Sequence, residues 1–575
     1  MATTETSRGW ARAARRYGPI LVVLGVVAAV VVVFAGGGDD DDGGGTADGG
    51  STSQDDLIAS GPMTWQRADQ EGVTDDIDWG PNCDTETGRI RLPTVYAAPC
   101  VEPFEGDNGG ATAAGVTEDT IKIVIYQSDP AVDPIGASLV GASGANLDPA
   151  AARENIQDYL ELYNLAFETY GRTVEVEYYL GTGTYDDQAA ARSDAIAIAE
   201  MEPFAVIGGP PLASPTFSDE LASRGVACLA GCALAQPNSV LSEHQPYSVQ
   251  LQEETDQASL IAAEAISNLA GPGPAELAGD PEMQAQDRVY GLVHFDTPDG
   301  DYEEAVSVFR DGLAEGGIEI ASDVPYQLDL NAVQETARTI VSRLQADGVT
   351  TVIYFGDPVI PSPLTAEATA QDYFPEWILG PNLGADSNAF ARTFDQQQWV
   401  NGFGVAIGGT SAGATEIATP YKLYEWAYGT ELPGNAGAGS EVALRQAFTG
   451  IHLAGPELTP ESFRDGLFRY PPSGGGPTTP VLSWGDHGIW PDTDYGGFDD
   501  AAVIWWDPEA VSVSETGEED VGSYRFANGG QRYRLGEMPE SAEEAGLFDV
   551  ESSEVQIFDP PPEDQAPDYE PPAGL

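Results

Sequence analysis

The sequence predicts an α/β protein: two doubly wound parallel-sheet lobes joined by a hinge, preceded by one transmembrane helix. From Val116 onward, short β-rich runs alternate with segments whose apolar residues recur every three or four positions. That is the pattern of parallel strands covered on both faces by helices, and there are enough units for two sheets. Near the N-terminus the apolar run ILVVLGVVAAVVVVFA (20–35) follows Arg8, Arg12, Arg15 and Arg16 and precedes Asp39, Asp40, Asp41 and Asp42. At ~1.5 Å per residue the uncharged stretch around it reaches ~30 Å, enough to cross a bilayer.

The charge asymmetry about that run puts the N-terminus in the cytosol and the bulk of the chain outside. A second reading is a cleaved signal peptide, with Val33 and Ala35 as the small residues before a cut at Gly36. The first reading gives a cell-membrane, single-pass protein, the second a secreted one. With 24 Lys plus Arg against 93 Asp plus Glu, the formal charge is −69, which argues against nucleic acid as a partner. The 575 residues predict roughly three or four domain-sized units, and a hydrophobic content of 42% is enough for packed cores.

Residues 37–60 are Gly, Asp, Ser and Thr with few large side chains, and are expected to form a flexible tether. An extension follows over 61–114 and contains Trp65, Trp79, Cys83 and Cys100. Exported thiols oxidise, so a Cys83–Cys100 bridge is expected to add ~3 kcal/mol by closing a short loop. The run IKIVIY (121–126) predicts the first strand, and Asp148 with Pro149 an N-cap and first-turn proline. Ile156, Tyr159, Leu160, Tyr163, Phe167 and Tyr170 then paint one helical face up to Gly171.

VEVEYYL, FAVIG and GVACLA continue the first series of strands. VYGLVHF, the segment from Ile318 to Tyr326, TVIYF and the segment from Trp377 to Gly380 form the second. FGVAIGG, two helical stretches near Tyr421 and Val442, a capped helix at Thr459 and Pro460, and the strand-like AAVIWW follow. The expected organisation is a cytosolic basic tail (1–17), a signal-anchor (18–36), the tether, the extension, lobe 1 (115–250 and 405–500), lobe 2 (251–404 and 501–538), and an acidic, proline-rich, disordered tail (539–575).

Several segments, in this order, resemble the type I periplasmic solute-binding proteins of the leucine and branched-chain amino acid class. They are GVTEDTIKIVI (115–125), VIGGPPLASP (206–215), PYSVQ with EETDQ after it, HFDTPDGDYEEAVSVFRDGLAEGGIEI (294–320), GPNLG (380–384) and LTPESFRDGL (458–467). CDTETGRIRLPTVYAAPC ahead of them is similar to the extension of some actinobacterial members. The resemblance implies lobes that close over a small molecule, a membrane permease as partner, a monomer, and neither enzymatic activity nor a cofactor.

Ligands of doubly wound sheets sit beyond the carboxyl ends of the strands, which directs attention to the loops there. Ala213 and Ser214 open a helix after FAVIG, where backbone N–H groups and the helix dipole favour a carboxylate; Ser214 serves equally as its own helix's cap. In similar proteins the next strand leads to a hydroxyl-bearing loop. This chain has Cys228, Leu229, Ala230, Gly231 and Cys232 instead, either a disulfide stiffening the cleft loop or two buried thiols.

Asn382 stands where the family often has an acid for the ligand's ammonium, and Asp357 and Glu254 are candidates to restore that charge. Each is equally readable as an ordinary acid of an acidic protein. Tyr126, Gln127 and Ser128 follow the first strand as further candidates. These departures favour a small polar or amphiphilic solute over a simple branched-chain amino acid.

Two alternatives remain open. Gly409, Thr410, Ser411, Ala412 and Gly413 spell G-x-S-x-G between a strand and a helix, the context of a hydrolase nucleophile, with Asp465 or Asp486 and His487 to complete a triad. A passive cell-surface interaction protein is the other. No metal site is expected: no His stands at ligand spacing from a cysteine, and the acids around Gly496 lack the full EF-hand pattern.

Overall fold

A computed structural model describes residues 54–134, 148–210, 213–232, 236–296, 302–407, 419–514, 519–555 and 567–575. The expected membrane segment (18–36) and residues 37–53 of the expected tether lie outside these residues, but the tether's last residues are not a flexible link: Gln54–Ala59 is a helix whose Leu57 is buried in the lobe 1 core, with Arg469 Nε donating to the Leu57 carbonyl at 2.7 Å. Among the described residues no helix is long and apolar enough to cross a membrane.

In the extension, β1 (Cys83–Asp84) and β2 (Arg89–Ile90) form an antiparallel pair. Their turn is set by Asp84, whose carboxylate accepts from the Glu86 N–H at 2.9 Å and the Thr87 hydroxyl at 3.1 Å. Cys83 and Cys100 are disulfide-bonded, and pack with Ala68 and Trp79 into a small core of their own. The extension also seats on lobe 1: the Tyr96 hydroxyl donates to the Pro480 carbonyl at 2.8 Å, and Asn82 donates to the Leu165 carbonyl at 2.7 Å.

Lobe 1 is built on β3 (Thr120–Gln127), β4 (Thr173–Leu180), β5 (Ala205–Ile207) and β6 (Ala227–Leu229). They lie in the order β4-β3-β5-β6, all parallel, and Ser248 adds a parallel bridge to Cys228 beyond β6. Asp148 caps the helix Pro149–Ala166 by accepting from the Ala150 and Ala151 N–H groups. That helix ends short of the expected Gly171: Phe167 is already extended (φ −93°, ψ 152°), and the chain then turns through Tyr170 in the left-handed region (φ 58°) before β4. The helix Ala438–Ala454 runs through the core, with Leu444, Phe448 and Ile451 inaccessible to solvent.

Lobe 2 holds β7 (Tyr290–Phe295), β8 (Ile320–Tyr326), β9 (Thr351–Gly356), β10 (Glu376–Asn382), β11 (Phe403–Ala406), β12 (Ala501–Val513), β13 (Glu519–Phe526) and β14 (Arg532–Tyr533). The order is β13-β12-β11-β10-β9-β7-β8, with β14 on β12. From β8 to β11 the strands are parallel; β12, β13 and β14 are added antiparallel. The sheet is therefore mixed, not purely parallel as expected.

Two further expectations change. FGVAIGG was allotted to lobe 1 from residue 405, but β11 pairs with β10 and β12 in the second sheet. The tail from 539, expected to be disordered, is folded in part, because its apolar side chains cover β11 and β12. Phe548 packs on Phe403 and Trp505, and Glu554 pairs with Phe526.

The chain passes between the lobes near 250–255, after β11, and near 494–501. The first and last passages are stitched together. Gln250 N–H donates to Tyr495 O at 3.0 Å, Gly497 N–H to Gln252 O at 3.1 Å, and Tyr495 N–H to Glu254 Oε1 at 2.7 Å.

Candidate functional site

Each sheet has a point where successive strands go to opposite sides: β3, between β4 and β5, in lobe 1, and β7, between β8 and β9, in lobe 2. Crevices form beyond the carboxyl ends of strands at such points. Segments that follow the carboxyl ends of the two sheets meet. Gln236, in the segment after β6, accepts the Thr255 N–H at 3.2 Å, and Ser239 donates to Glu304 Oε2, on the helix after β7, at 2.6 Å.

On the lobe 1 wall, Tyr126 at the end of β3 stacks on Tyr179 of β4 (centroids 6.2 Å, 25°) and meets Phe217 edge-on at 5.3 Å. Buried Asp194 organises this group. Its carboxylate accepts from the Tyr179 hydroxyl at 2.8 Å, from the Thr182 N–H at 2.9 Å and from the Thr182 hydroxyl at 2.7 Å, with the Tyr126 hydroxyl 3.5 Å away. Burial, reinforced by the bond to Asp194, pushes the Tyr179 phenol up to about 12, so it remains a donor.

The lobe 2 wall repeats the device. Phe295 at the end of β7 meets Tyr302 and Tyr326 at 5.2 and 5.9 Å, and Tyr326 stacks on Tyr354 at 6.3 Å. Asp357, just past β9, accepts from the Tyr326 hydroxyl at 2.5 Å on one oxygen, and from the Val359 and Ile360 N–H groups at 2.7 and 3.1 Å on the other. Burial raises its carboxyl above the ordinary range, against the pull of those donors.

At the rim of these walls sit exposed apolar side chains: Val132 and Leu180, each 41% exposed, beyond β3 and at the end of β4, and Leu383, 37% exposed, just past β10. The arrangement is two aromatic-backed walls, with buried polar atoms lacking a protein partner at the crossing between them, among them Gln250 Oε1, Gln252 Oε1 and Glu254 Oε2.

No protein-family model and no curated protein matches the chain. Among solved structures, the ABC-transporter substrate-binding protein of Aeropyrum pernix matches with a TM-score of 0.50 at 12% identity, covering 72% of this chain and 96% of that one. An ABC-transporter substrate-binding protein from Sphaerobacter thermophilus matches with a TM-score of 0.48 at 13% identity, over 73% of this chain and all of that one (100%). A solute-binding protein of R. palustris in complex with 4-hydroxybenzoate gives 0.46 and 13%, over 75% and 100%. The chain shares the two-sheet α/β architecture of the Aeropyrum protein.

Of the polar side chains expected to grip a ligand, Asp357, Asn382 and Gln127 are already engaged. Asp357 is held as described. Asn382 accepts from the Gly384 and Asp386 N–H groups at 3.0 and 3.2 Å, and donates to the Gly380 carbonyl at 3.3 Å, so its amide closes a turn. Gln127 accepts from Arg153 Nε at 2.7 Å. The Ala230 N–H donates to Gln446 Oε1 at 3.1 Å, across from the helix Ala438–Ala454. Gly231 takes the left-handed turn (φ 76°) between Cys228 and Cys232, which are disulfide-bonded and lie in the core with Phe217 and Val124, beneath the cleft loop rather than on it.

Glu254 is an interdomain strut. It forms a reciprocal capping box with Gln257 at the start of the helix Thr255–Leu269 and accepts from Tyr495 across the crossing. Ala213, not Ser214, is the cap position of the helix Ser214–Ser223, and both residues are buried. The residues that organise the walls, Tyr179, Asp194, Tyr326 and Gln446, carry no motif. Only the alternation VEVEYYL hinted that tyrosines end a strand at the site.

The G-x-S-x-G segment lies outside the described residues. Of its expected partners, Asp465 is paired with Arg464 at 2.7 Å, and His487 is half-buried, with desolvation holding its imidazole below the usual range. Among the described residues no group of three or more His, Cys, Asp or Glu side chains is placed to hold a metal ion.

Proposed function

We propose that the chain is an extracytoplasmic solute-binding protein, tethered through residues 18–36, that captures a small amphiphilic metabolite between its lobes as a monomer and passes it to an ABC-type permease. The segments after the carboxyl ends of the two sheets, in contact through Ser239 and Glu304, carry this reading. A molecule touching both walls stabilises the closed arrangement by its differential contacts.

A zwitterionic amino acid suits these walls poorly, because a carboxylate already satisfied by Tyr326 and two backbone donors has little left for an ammonium. Amphiphilic solutes, with amides as the next class, fit better. Tyr179, Leu180 and Leu383, with the amide of Gln127 and the helix start at Ser214, are the proposed contacts. A thermal-shift screen of the full chain tests this: a ligand at 100 times its Kd adds about 2.7 kcal/mol. Shifts with amphiphilic pools and none with branched-chain amino acids are expected. Silence with every pool overturns the solute-binding reading, and a shift with leucine alone overturns the ligand class.

A further inference from the structure

Arg153 brings a cation to the carboxyl end of the lobe 1 sheet. From the helix Pro149–Ala166 it donates Nε to Gln127 Oε1 at 2.7 Å, and its guanidinium stands 4.7 Å from the Tyr178 ring centroid. Gln127 is the last residue of β3 and lies in register with Leu180, the last of β4. Tyr178, two residues before Leu180, shares its face of the sheet. The ring is itself fixed, since Gln157 Nε2 donates to its hydroxyl at 3.2 Å. A neutral amide oxygen and an aromatic face therefore orient this guanidinium.

In a chain with 93 Asp plus Glu against 24 Lys plus Arg, a carboxylate partner is easily supplied. Other exposed arginines have one: Arg224 pairs with Glu220 at 2.7 Å and Arg338 with Glu335 at 3.0 Å. Among the described residues Arg153 is paired with no Asp or Glu. Residues 135–147, between β3 and its helix, contain neither.

We propose that Arg153 and Gln127 form an anion subsite at the cleft end of lobe 1, and that the solute is an amphiphilic carboxylate. This rests on the solute-binding function proposed above. With Nε and Oε1 spent on each other, the groups left to face a ligand are Nη1 and Nη2 of Arg153 and Nε2 of Gln127, all donors. A carboxylate satisfies such a set, whereas a neutral amide brings N–H groups that find no acceptor. Leu180, 41% exposed beside them, receives the apolar part. Because the guanidinium is held in advance, less side-chain freedom is lost on binding.

The test is calorimetric titration of the full chain with hexanoate, octanoate and phenylacetate, each against the primary amide of the same skeleton. The acids are expected to bind at least about tenfold more tightly than their amides. Arg153→Gln is expected to erase that preference by weakening the acids alone, and Arg153→Lys to restore part of it. Equal binding of acid and amide by the parent, or a ratio unchanged in Arg153→Gln, overturns the subsite while the solute-binding reading stands. Binding of neither series overturns both. Should Arg153→Gln fail to fold, Gln127→Met decides, with a reduced preference expected and an unchanged one overturning the subsite.

Discussion

Tyr326, at the end of β8, donates its hydroxyl to Oδ2 of Asp357, just past β9, at 2.5 Å. The same relation joins Tyr179 to Asp194 at 2.8 Å on the opposite lobe. In both walls a buried carboxylate is spent on orienting aromatic rings, so Asp357 is expected to matter to the fold directly. Tyr326→Phe strips one donor from a buried carboxylate and is expected to cost about 1–3 kcal/mol in denaturant unfolding. A stability equal to that of the parent would show that Asp357 has other partners, a ligand among them.

Glu254, Asp494 and Asp499 meet where the first and last crossings touch, and the Arg532 guanidinium is held by neighbouring Asp500 at 2.8 Å. Burial, with Asp256 adding to it, pushes Glu254 up to about 8; burial likewise raises Asp499 to about 7, and Asp494 stands well above the usual range beside them. A carboxylate whose folded value is raised holds its proton better in the native state than in the unfolded chain. Its stabilising contribution is therefore complete below the unfolded value near ~4 and is lost as pH rises through the folded value. Melting temperature is expected to fall from pH 5 to pH 8, and Glu254→Gln to flatten that fall. An unchanged slope in the variant would remove Glu254 from the cause.

Salt should act in the opposite sense to its effect on a protein held together by surface ion pairs. The net charge is −69, and Lys122 and Lys422 are the only lysines, so self-repulsion dominates the long-range field. Raising sodium chloride from 0.1 to 1 M shortens the screening length from ~10 to ~3 Å. The melting temperature is expected to rise by ~2–4 °C for each kcal/mol of repulsion removed. A falling melting temperature would show that the pairs, not the excess charge, govern stability.

The Cys83–Cys100 bond closes a loop with a sequence separation of 17. Cys83→Ala with Cys100→Ala is expected to cost ~3 kcal/mol in the chain-entropy model. Ala68, Trp79 and the two cysteines form a small core of their own, whereas Ile90, Leu92, Tyr96 and Val101 of the extension belong to the lobe 1 core, so the loss is expected first as proteolysis around the Cys83 turn, with the lobes still resistant. Cleavage in the lobes at the same rate would mean that this small core is inseparable from lobe 1.

Much of the architecture was legible before any coordinates because it is written in local periodicity. Ile121, Ile123 and Ile125 alternate in β3, Asp148 and Pro149 start a helix, and Thr459 and Pro460 start another, since period, cap and first-turn proline act within a few residues. The site was less legible. Ser214, Asp357 and Asn382 were found as positions after strands, but their engagement depends on Tyr326, Val359 and Gly384. Gln446, which takes the Ala230 N–H, comes from a helix more than two hundred residues away in the sequence.

The sequence by itself determined that two helix-clad sheets would form and where most of their strands from β3 to β12 begin, because short-range stereochemistry and apolar spacing suffice for each. Only the tertiary structure decided that β12 and β13 close the second sheet antiparallel, that Asp194 and Asp357 serve tyrosines, and that Tyr569 returns to Asp84. Those outcomes are choices among partners far apart along the chain, and a hydrogen-bonding group carries no mark of which distant neighbour will desolvate it.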